Sequence, residues 1–557
     1  MADAQFLAGA VVALAAVLVF LQQFCRKSSL KRLPPGPLSL PIIGSSYIVG
    51  RYPSAWDAFS DLRRHYGDVY SINLGSKRCL VVSSVDALRE VLVTKATDFG
   101  DRPDSLRYHA IFKHNRNLSI ALCDWSSKQR TRRELCYPVM HPKQGSAEQS
   151  RLSTSIETEL LYLTAELSRT SGTAIKPRQA LLVTTANIFY KFFCAERFSP
   201  DDSKFLRIVD LYNAVFHQLF QGFAIDFMPW LKVVQDKQLC LLKEKSMEIY
   251  RFTLAIMDRR EKAMASSGIG AGLDQARDLM DVLLLSLNDP STKGQLDKVD
   301  VAVVIEDLVG GHSVIANLWV WCLYILSSYP EVQCKIREET RATTSSEKRR
   351  PSLLDRSHLC YTEATLYEVI RVVNSPIIPH VCTNDTTVQD YSRTRNTLTV
   401  QLFYEALCFG TLCGCSVHRF LGGNGCVFKP GHFFPFGTGK RSCMGDGLVR
   451  ATLVLGMAAL LARFELSLAP GQEPARFADF RSKVIFDRDP EIVFTEDVRH
   501  VSFCSPSERA YRSPATYGQS AAIRGVRAEK RVVSHKVHEP EFRRGPSRRS
   551  SLDCCWY

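Results

Sequence analysis

The chain has 557 residues, of which 45% are hydrophobic and 23% charged, a balance that excludes a disordered or low-complexity protein and leaves ample material for a large core. Its 18 cysteines are scattered without a repeating framework, which argues against a disulfide scaffold and for reduced core thiols. The formal net charge is +14, but residues 501–557 hold eleven Lys/Arg against five Asp/Glu, so the tail supplies +6; the body is only mildly basic, and no nucleic-acid-binding signature accompanies it.

Phe6 to Leu21 reads FLAGAVVALAAVLVFL, uninterrupted and apolar. A spanning helix needs roughly 20 residues, and Gln22, Gln23 and Phe24 would complete this one. A cleaved signal peptide is the other reading. Against it, the run is preceded by Asp3 and no Lys or Arg, and no small-residue cleavage site follows. Arg26, Lys27, Lys31 and Arg32 lie beyond it and place the body on the cytosolic side. Residues 1–32 are therefore expected to be a single-pass membrane anchor with its basic stop. LPPGPLSLPIIG (Leu33–Gly44) cannot continue a helix and forms a stiff link into a body over 33–500.

Apolar residues recur at helical spacing over 56–66, 85–95, 150–170, 204–222, 238–262, 277–288, 299–328, 331–343, 361–373 and 443–463. Strand-like runs stand at 69–74 and 79–83. The expected class is mainly α with a small β part. Phe112 and the apolar, aromatic stretch Phe220–Trp230 suit loops that contact a lipophilic ligand.

Four stretches carry chemistry. CDWSSKQRTRREL, Cys123 to Leu135, sets Trp125 before a basic run that equally suits a solvated helix face. The long helix over 299–328 has EDLVGGHSVIANLW at its centre. Gly310 and Gly311 each cost about 1 kcal/mol in a helix interior, so they mark a packing notch or a groove for a ligand. In YTEATLYEVIRV, Glu368 and Arg371 share a helix face and can pair, as residues at this spacing often do. FFPFGTGKRSCMG, Phe433 to Gly445, runs into an apolar helix expected to start near Cys443. There a thiolate would meet free N–H groups and the helix dipole. Gly437, Gly439 and Gly445 permit unusual dihedrals and close approach, and Arg441 offers a charged fork to a carboxylate. A lone cysteine there would ordinarily be a buried thiol.

The string Phe436-x-x-Gly439-x-Arg441-x-Cys443-x-Gly445 resembles the haem-binding loop of the cytochrome P450 family at every defined position. The resemblance covers roughly 33–500 and implies the P450 fold behind an N-terminal anchor. It implies haem b with Cys443 as thiolate ligand to the iron, a ligand that favours O–O cleavage. It also implies that Glu368, Arg371 and Arg419 (from HRFL) brace the pocket, and that His380 and Trp125 stand near the haem propionates. The arginine usual four residues after that tryptophan is Gln129 here, and Lys128 or Arg130 would have to take its place. The central helix would line the oxygen side through Gly310, Gly311, His312, Ser313 and Val314. Ser313 replaces the usual acid and Val314 the usual threonine, so proton delivery would fall to Ser313, His312 or water.

The overall layout is similar to animal microsomal members, and GGHS, DWSSKQ and PIIPHV resemble the arthropod Spook-type enzymes of ecdysteroid synthesis. The resemblance implies a monooxygenase in the endoplasmic reticulum membrane. It would act on a sterol with O2 and electrons from NADPH–P450 reductase, whose acidic face Lys440 and Arg450 could meet. A reductase-independent isomerase or dehydratase and an inert chain are the alternatives. Residues 391–418 lack the family's usual strand and meander residues at about the usual length, as compensating reading-frame shifts would produce. Cys408, Cys413, Cys415 and Cys426 lie in or near this region, but without a CxxC pair they make poor zinc ligands. The Arg-, Ser- and Pro-rich tail 501–557 reads as disordered or as untranslated sequence read through.

Overall fold

The computed structural model describes residues 33–497 except 221–223, 268–274, 293, 345–348, 374–377, 394, 402–415 and 476–488. The expected anchor (1–32), the tail (501–557) and most of the second half of 391–418, with Cys408, Cys413 and Cys415, lie outside the described residues. Among the described residues no helix is long and apolar enough to cross a membrane. The chain divides into two units at Ser505/Pro506, and the second lies wholly outside the described residues.

Among the described residues the architecture is mainly helical, with three small sheets. β1 (Val69–Leu74) and β2 (Lys77–Val82) form a hairpin. In the same sheet β7 (Leu398–Gln401) runs parallel to β2 and pairs antiparallel with β4 (His380–Val381). This sheet joins residues more than 300 positions apart and brings His380 beside the N-terminal part of the body. β5 (Thr386–Val388) and β6 (Tyr391–Arg393) form a second hairpin, so the described ends of 391–418 are built into the fold. A third sheet packs β3 (Ala174–Ile175), β9 (Ile492–Glu496) and β8 (Phe464–Leu468).

The expected helices form with shifted ends. Among the described residues, two α-helices of more than ten residues lie outside the periodic pattern, besides three of six residues or fewer. Arg178–Cys194 buries thirteen of its 17 residues and so has no polar face to reveal a period. Ser127–Met140 is charged and carries Pro138 inside it, which masks its pattern.

The organising element is the helix Lys298–Ser328, called the central helix below. Asp297 caps it in a reciprocal box with Asp300. Asp300 is buried and pairs with Lys128 (2.6 Å) and with the buried Arg132. The helix is apolar nearly all round because other helices cover it nearly all round: Arg178–Cys194, Ser203–Phe220, Lys232–Ser267, Cys360–Val373 and Asp446–Arg463. Of its 31 residues, 25 are buried. Between Asp300 and Ser327 every residue is buried but three, Asp307, Gly311 and Val314.

Candidate functional site

The stretch Phe433–Gly445 forms a tight loop. Cys443 N–H donates to the Phe436 carbonyl at 2.9 Å, and Ser442 N–H to Gly439 at 3.1 Å. Gly437 and Gly439 have φ of 71° and 73°, in the left-handed region that suits glycine. A Cβ on Gly439 would also lie 1.9 Å from the Leu92 carbonyl oxygen, so no side chain fits there. The helix that follows begins at Asp446, not near Cys443 as expected. A 3-10 turn (Gly439–Arg441) and the Cys443–Phe436 hydrogen bond hold the cysteine in the loop, with Gly445 at the N-cap.

The Cys443 thiol is accessible although it lies deep in the fold. Burial pushes its pKa up, and the Asp446 carboxylate adds to that; the Gly445 N–H, 3.3 Å from Sγ, and the Arg133 guanidinium oppose it. Alone, the thiol holds its proton; a metal ion would displace it. Arg133, which was not singled out in the sequence, reaches the loop by donating to the Ser442 carbonyl at 2.9 Å.

Beside this loop the segment Phe99–Arg102 acts as a hub. His380 Nδ1 hydrogen-bonds the Phe99 carbonyl (2.8 Å), and Arg441 Nε donates to the Gly100 carbonyl (2.8 Å). Trp125 N–H donates to Asp101 (3.1 Å), and the Arg441 guanidinium stands 5.4 Å from the Trp125 ring centroid. The structure thus brings Arg441, Trp125 and His380 together. It adds Arg102, buried, which donates to the Ala121 (3.2 Å) and Ile378 (2.7 Å) carbonyls. Arg102 carries no spacing signal in the sequence; tertiary folding alone places it. Burial first, and then the like charge of Arg441, lower its pKa to about 9.

Two buried guanidiniums therefore lie close together, and among the described residues their hydrogen-bond partners are carbonyl oxygens and the Cys123 sulfur, with no carboxylate. Buried charge without a counter-ion is costly, and this pair forms a cradle for an anion. Lys128 and Arg130 do not join it. Lys128 is committed to Asp300, and the exposed Arg130 pairs with Glu134 one turn along its own helix. Gln129, at the expected arginine position, is buried and donates to the Ile120 carbonyl.

Glu368, Arg371 and Arg419 meet in the structure. Arg371 donates twice to Glu368, at 2.8 Å each, with both residues buried. Arg419 reaches Glu368 at 3.5 Å, and Ser416 N–H donates to the same carboxylate at 3.1 Å. From this node Tyr367 and Phe420 pack against Phe433, the first residue of the cysteine loop.

On the central helix the five expected residues separate. Gly310 is a packing notch: a Cβ there would lie 2.4 Å from the Phe216 ring. Gly311 and Val314 share the accessible stripe with Asp307, at helical spacings of four and three residues. His312 and Ser313 turn away from that stripe, as the rotation of about 100° per residue requires. Both are buried. His312 Nδ1 hydrogen-bonds the Val309 carbonyl (2.7 Å), its ring meets Tyr212 edge-on at 5.3 Å, and Ser313 Oγ lies 3.3 Å from its Nε2. Neither presents its side chain beside Val314.

Burial lowers the His312 pKa to about 4 from an ordinary 6.5. The unfolded chain then binds a proton that the native chain refuses as the pH falls between those values. Stability should drop by about 1.4 kcal/mol per pH unit there from this group, and no further below it. In urea titrations between pH 6.5 and 4.5, His312→Asn should show a shallower loss than the parent; an unchanged slope would contradict this.

The Cytochrome P450 family profile matches residues 34–491. The chain belongs to the cytochrome P450 family. Cytochrome P450 307a1 of Drosophila melanogaster is 32% identical over 466 residues, 78% of this chain and 84% of that protein. Cytochrome P450 1A1 of Mesocricetus auratus is 28% identical over 79% of this chain and 86% of its own length. Cytochrome P450 2E1 of Rattus norvegicus is 28% identical over 78% and 87%. As a member of the family the chain is a haem-dependent monooxygenase, and the residues present fit haem. Cys443 offers an accessible sulfur, the glycine backbone of its loop leaves room beside it, and Arg102 and Arg441 supply the charge that propionates require.

Proposed function

We propose that this P450 oxidises a lipophilic, sterol-like substrate in ecdysteroid synthesis, at the endoplasmic reticulum membrane, with electrons from NADPH–P450 reductase. The observation that carries the reading is the accessible Cys443 thiol beside two buried guanidiniums that have no carboxylate partner among the described residues. When bound, haem supplies oxygen activation and one-electron chemistry. The chain's own residues hold and shape the site. Cys443 would be the ligand to the iron, and Arg102 and Arg441, with His380 and Trp125 beside them, would neutralise the propionates. Glu368, Arg371 and Arg419 hold the cysteine loop through Phe420 and Phe433. Gly311 and Val314 leave an apolar surface on the central helix that suits a hydrocarbon skeleton.

The GGHS, DWSSKQ and PIIPHV stretches, which resemble Spook-type enzymes, support the sterol assignment. A membrane setting is supported by exposed apolar side chains on two segments that meet at the β1–β2 turn. Leu38 and Ile42 precede the Gly44–Leu74 bridge, and Trp230, Val233 and Val234 follow Phe227, whose carbonyl accepts from Ser76. Lys440, exposed at the cysteine loop, remains a candidate contact for the reductase. Arg450 is spent on Asp446 and Tyr367 and is mostly covered.

Val314 has no hydroxyl, and Ser313 and His312 lie off its face. This favours, as a second reading, rearrangement or dehydration without reductase. Turnover of 7-dehydrocholesterol by the full-length holoprotein in vesicles separates the two. Product formation that needs NADPH, reductase and O2 together is the expected result. Product formed without reductase would replace the monooxygenase reading with the second.

A further inference from the structure

Asp307 is the one polar side chain on the accessible stripe of the central helix, where Gly311 and Val314 are its companions. Its two carboxylate oxygens are treated differently by the fold. Oδ2 accepts from Ser119 Oγ at 2.6 Å, from Ile120 N–H at 2.7 Å and, more weakly, from Ala121 N–H at 3.4 Å. Oδ1 has no hydrogen-bond partner among the described residues. The cation whose charge acts on Asp307 is already engaged: Lys113 pairs with the neighbouring Glu306 and lies 4.2 Å from the Tyr250 ring centroid. The loop that holds Asp307 also leads to the arginine cradle, because Arg102 donates to the Ala121 carbonyl and Arg441 to that of Cys123. A carboxylate set in an apolar stripe, with one oxygen fixed by three donors and the other open, is built to accept one more hydrogen bond.

We propose that Asp307 is the polar anchor of the substrate pocket, accepting a hydrogen bond at Oδ1 from a hydroxyl of an otherwise apolar substrate. This rests on the reading of the stripe as the substrate side of a haem monooxygenase. A hydroxyl suits the position better than a cationic ligand, since the companions on the stripe are apolar and would leave the rest of a charged group unsolvated. The three donors on Oδ2 fix the carboxylate plane, so the anchor has a direction and would set which part of a sterol lies over the site.

The isosteric variant Asp307→Asn tests this sharply. Its carbonyl oxygen must take the three donors, which turns its NH2 toward the ligand and makes an acceptor position into a donor. Cholestanol and cholestan-3-one, which differ only at the 3-oxygen, are titrated into full-length holoprotein by the shift of the haem absorption band. The parent should bind the alcohol about tenfold more tightly than the ketone, and in Asp307→Asn that ratio should fall by about tenfold or invert. Asp307→Leu should lose the preference, with affinity for the ketone retained. The reduced carbon monoxide spectrum shows that each variant holds its haem. An unchanged ratio in Asp307→Asn, or no preference in the parent, overturns the anchor. If neither sterol shifts the band of intact holoprotein, the sterol assignment fails separately, and dodecan-2-ol against dodecan-2-one decides the anchor by the same ratio.

Discussion

Glu368→Ala is expected to produce protein that retains little or no haem and unfolds at a much lower denaturant concentration than the parent. Glu368 is buried and accepts from Arg371, from the Ser416 N–H and, at longer range, from Arg419. Removing it leaves the buried Arg371 guanidinium without its counter-ion, a loss of roughly 3–5 kcal/mol. That is a large share of the roughly 5–15 kcal/mol that holds a typical domain together. The damage should be local before it is global. The Glu368 node fixes the turn Val417–Phe420, Phe420 packs at 4.6 Å on Phe433, and Phe433 opens the cysteine loop. Glu368→Gln keeps an acceptor for the Ser416 N–H and should cost less. Haem content per polypeptide and the urea midpoint measure both effects; parent-like values for Glu368→Ala would show that the node does not support the loop.

The contrast between the cysteine loop, the brace and the arginine cradle shows what a sequence makes legible. The cysteine loop was readable because its constraints are local. Two positive-φ glycines, an arginine and a cysteine within a few residues define one backbone path. The brace was readable in part: Glu368 and Arg371 share a helix turn, whereas Arg419 joins them only through the fold. The arginine cradle was half readable. Arg441 lies in the loop, but Arg102 comes from a segment more than 300 positions away, and local pattern carries nothing about their meeting.

On the central helix the sequence suggested five residues in a row, but a helix does not present consecutive residues to one side. In the structure Gly311 and Val314 share the accessible stripe with Asp307, Gly310 packs against Phe216, and His312 and Ser313 turn inward. Likewise Lys128 and Arg130, plausible substitutes by proximity in sequence to Gln129, are drawn to Asp300 and Glu134. The helix Arg178–Cys194 carries no period for the opposite reason: burial on nearly all sides erases the polar face from which a helical period is read.

The second large effect follows from the ligand itself. Cys443 is the sulfur at the centre of the loop, with its N–H tied to Phe436 and its Sγ accessible. Cys443→Ala removes a side-chain atom that the loop backbone does not use in its Phe436 and Gly439 hydrogen bonds, so the fold should survive while the iron loses its only thiolate. The carbon monoxide difference spectrum of the reduced protein tests the account most directly. The parent should show the haem band at the position characteristic of thiolate ligation, and Cys443→Ala should show none there, whether or not haem is retained. A thiolate band that persists in Cys443→Ala, or its absence from well-folded, haem-loaded parent protein, would contradict the assignment of Cys443 and the haem-thiolate chemistry built on it.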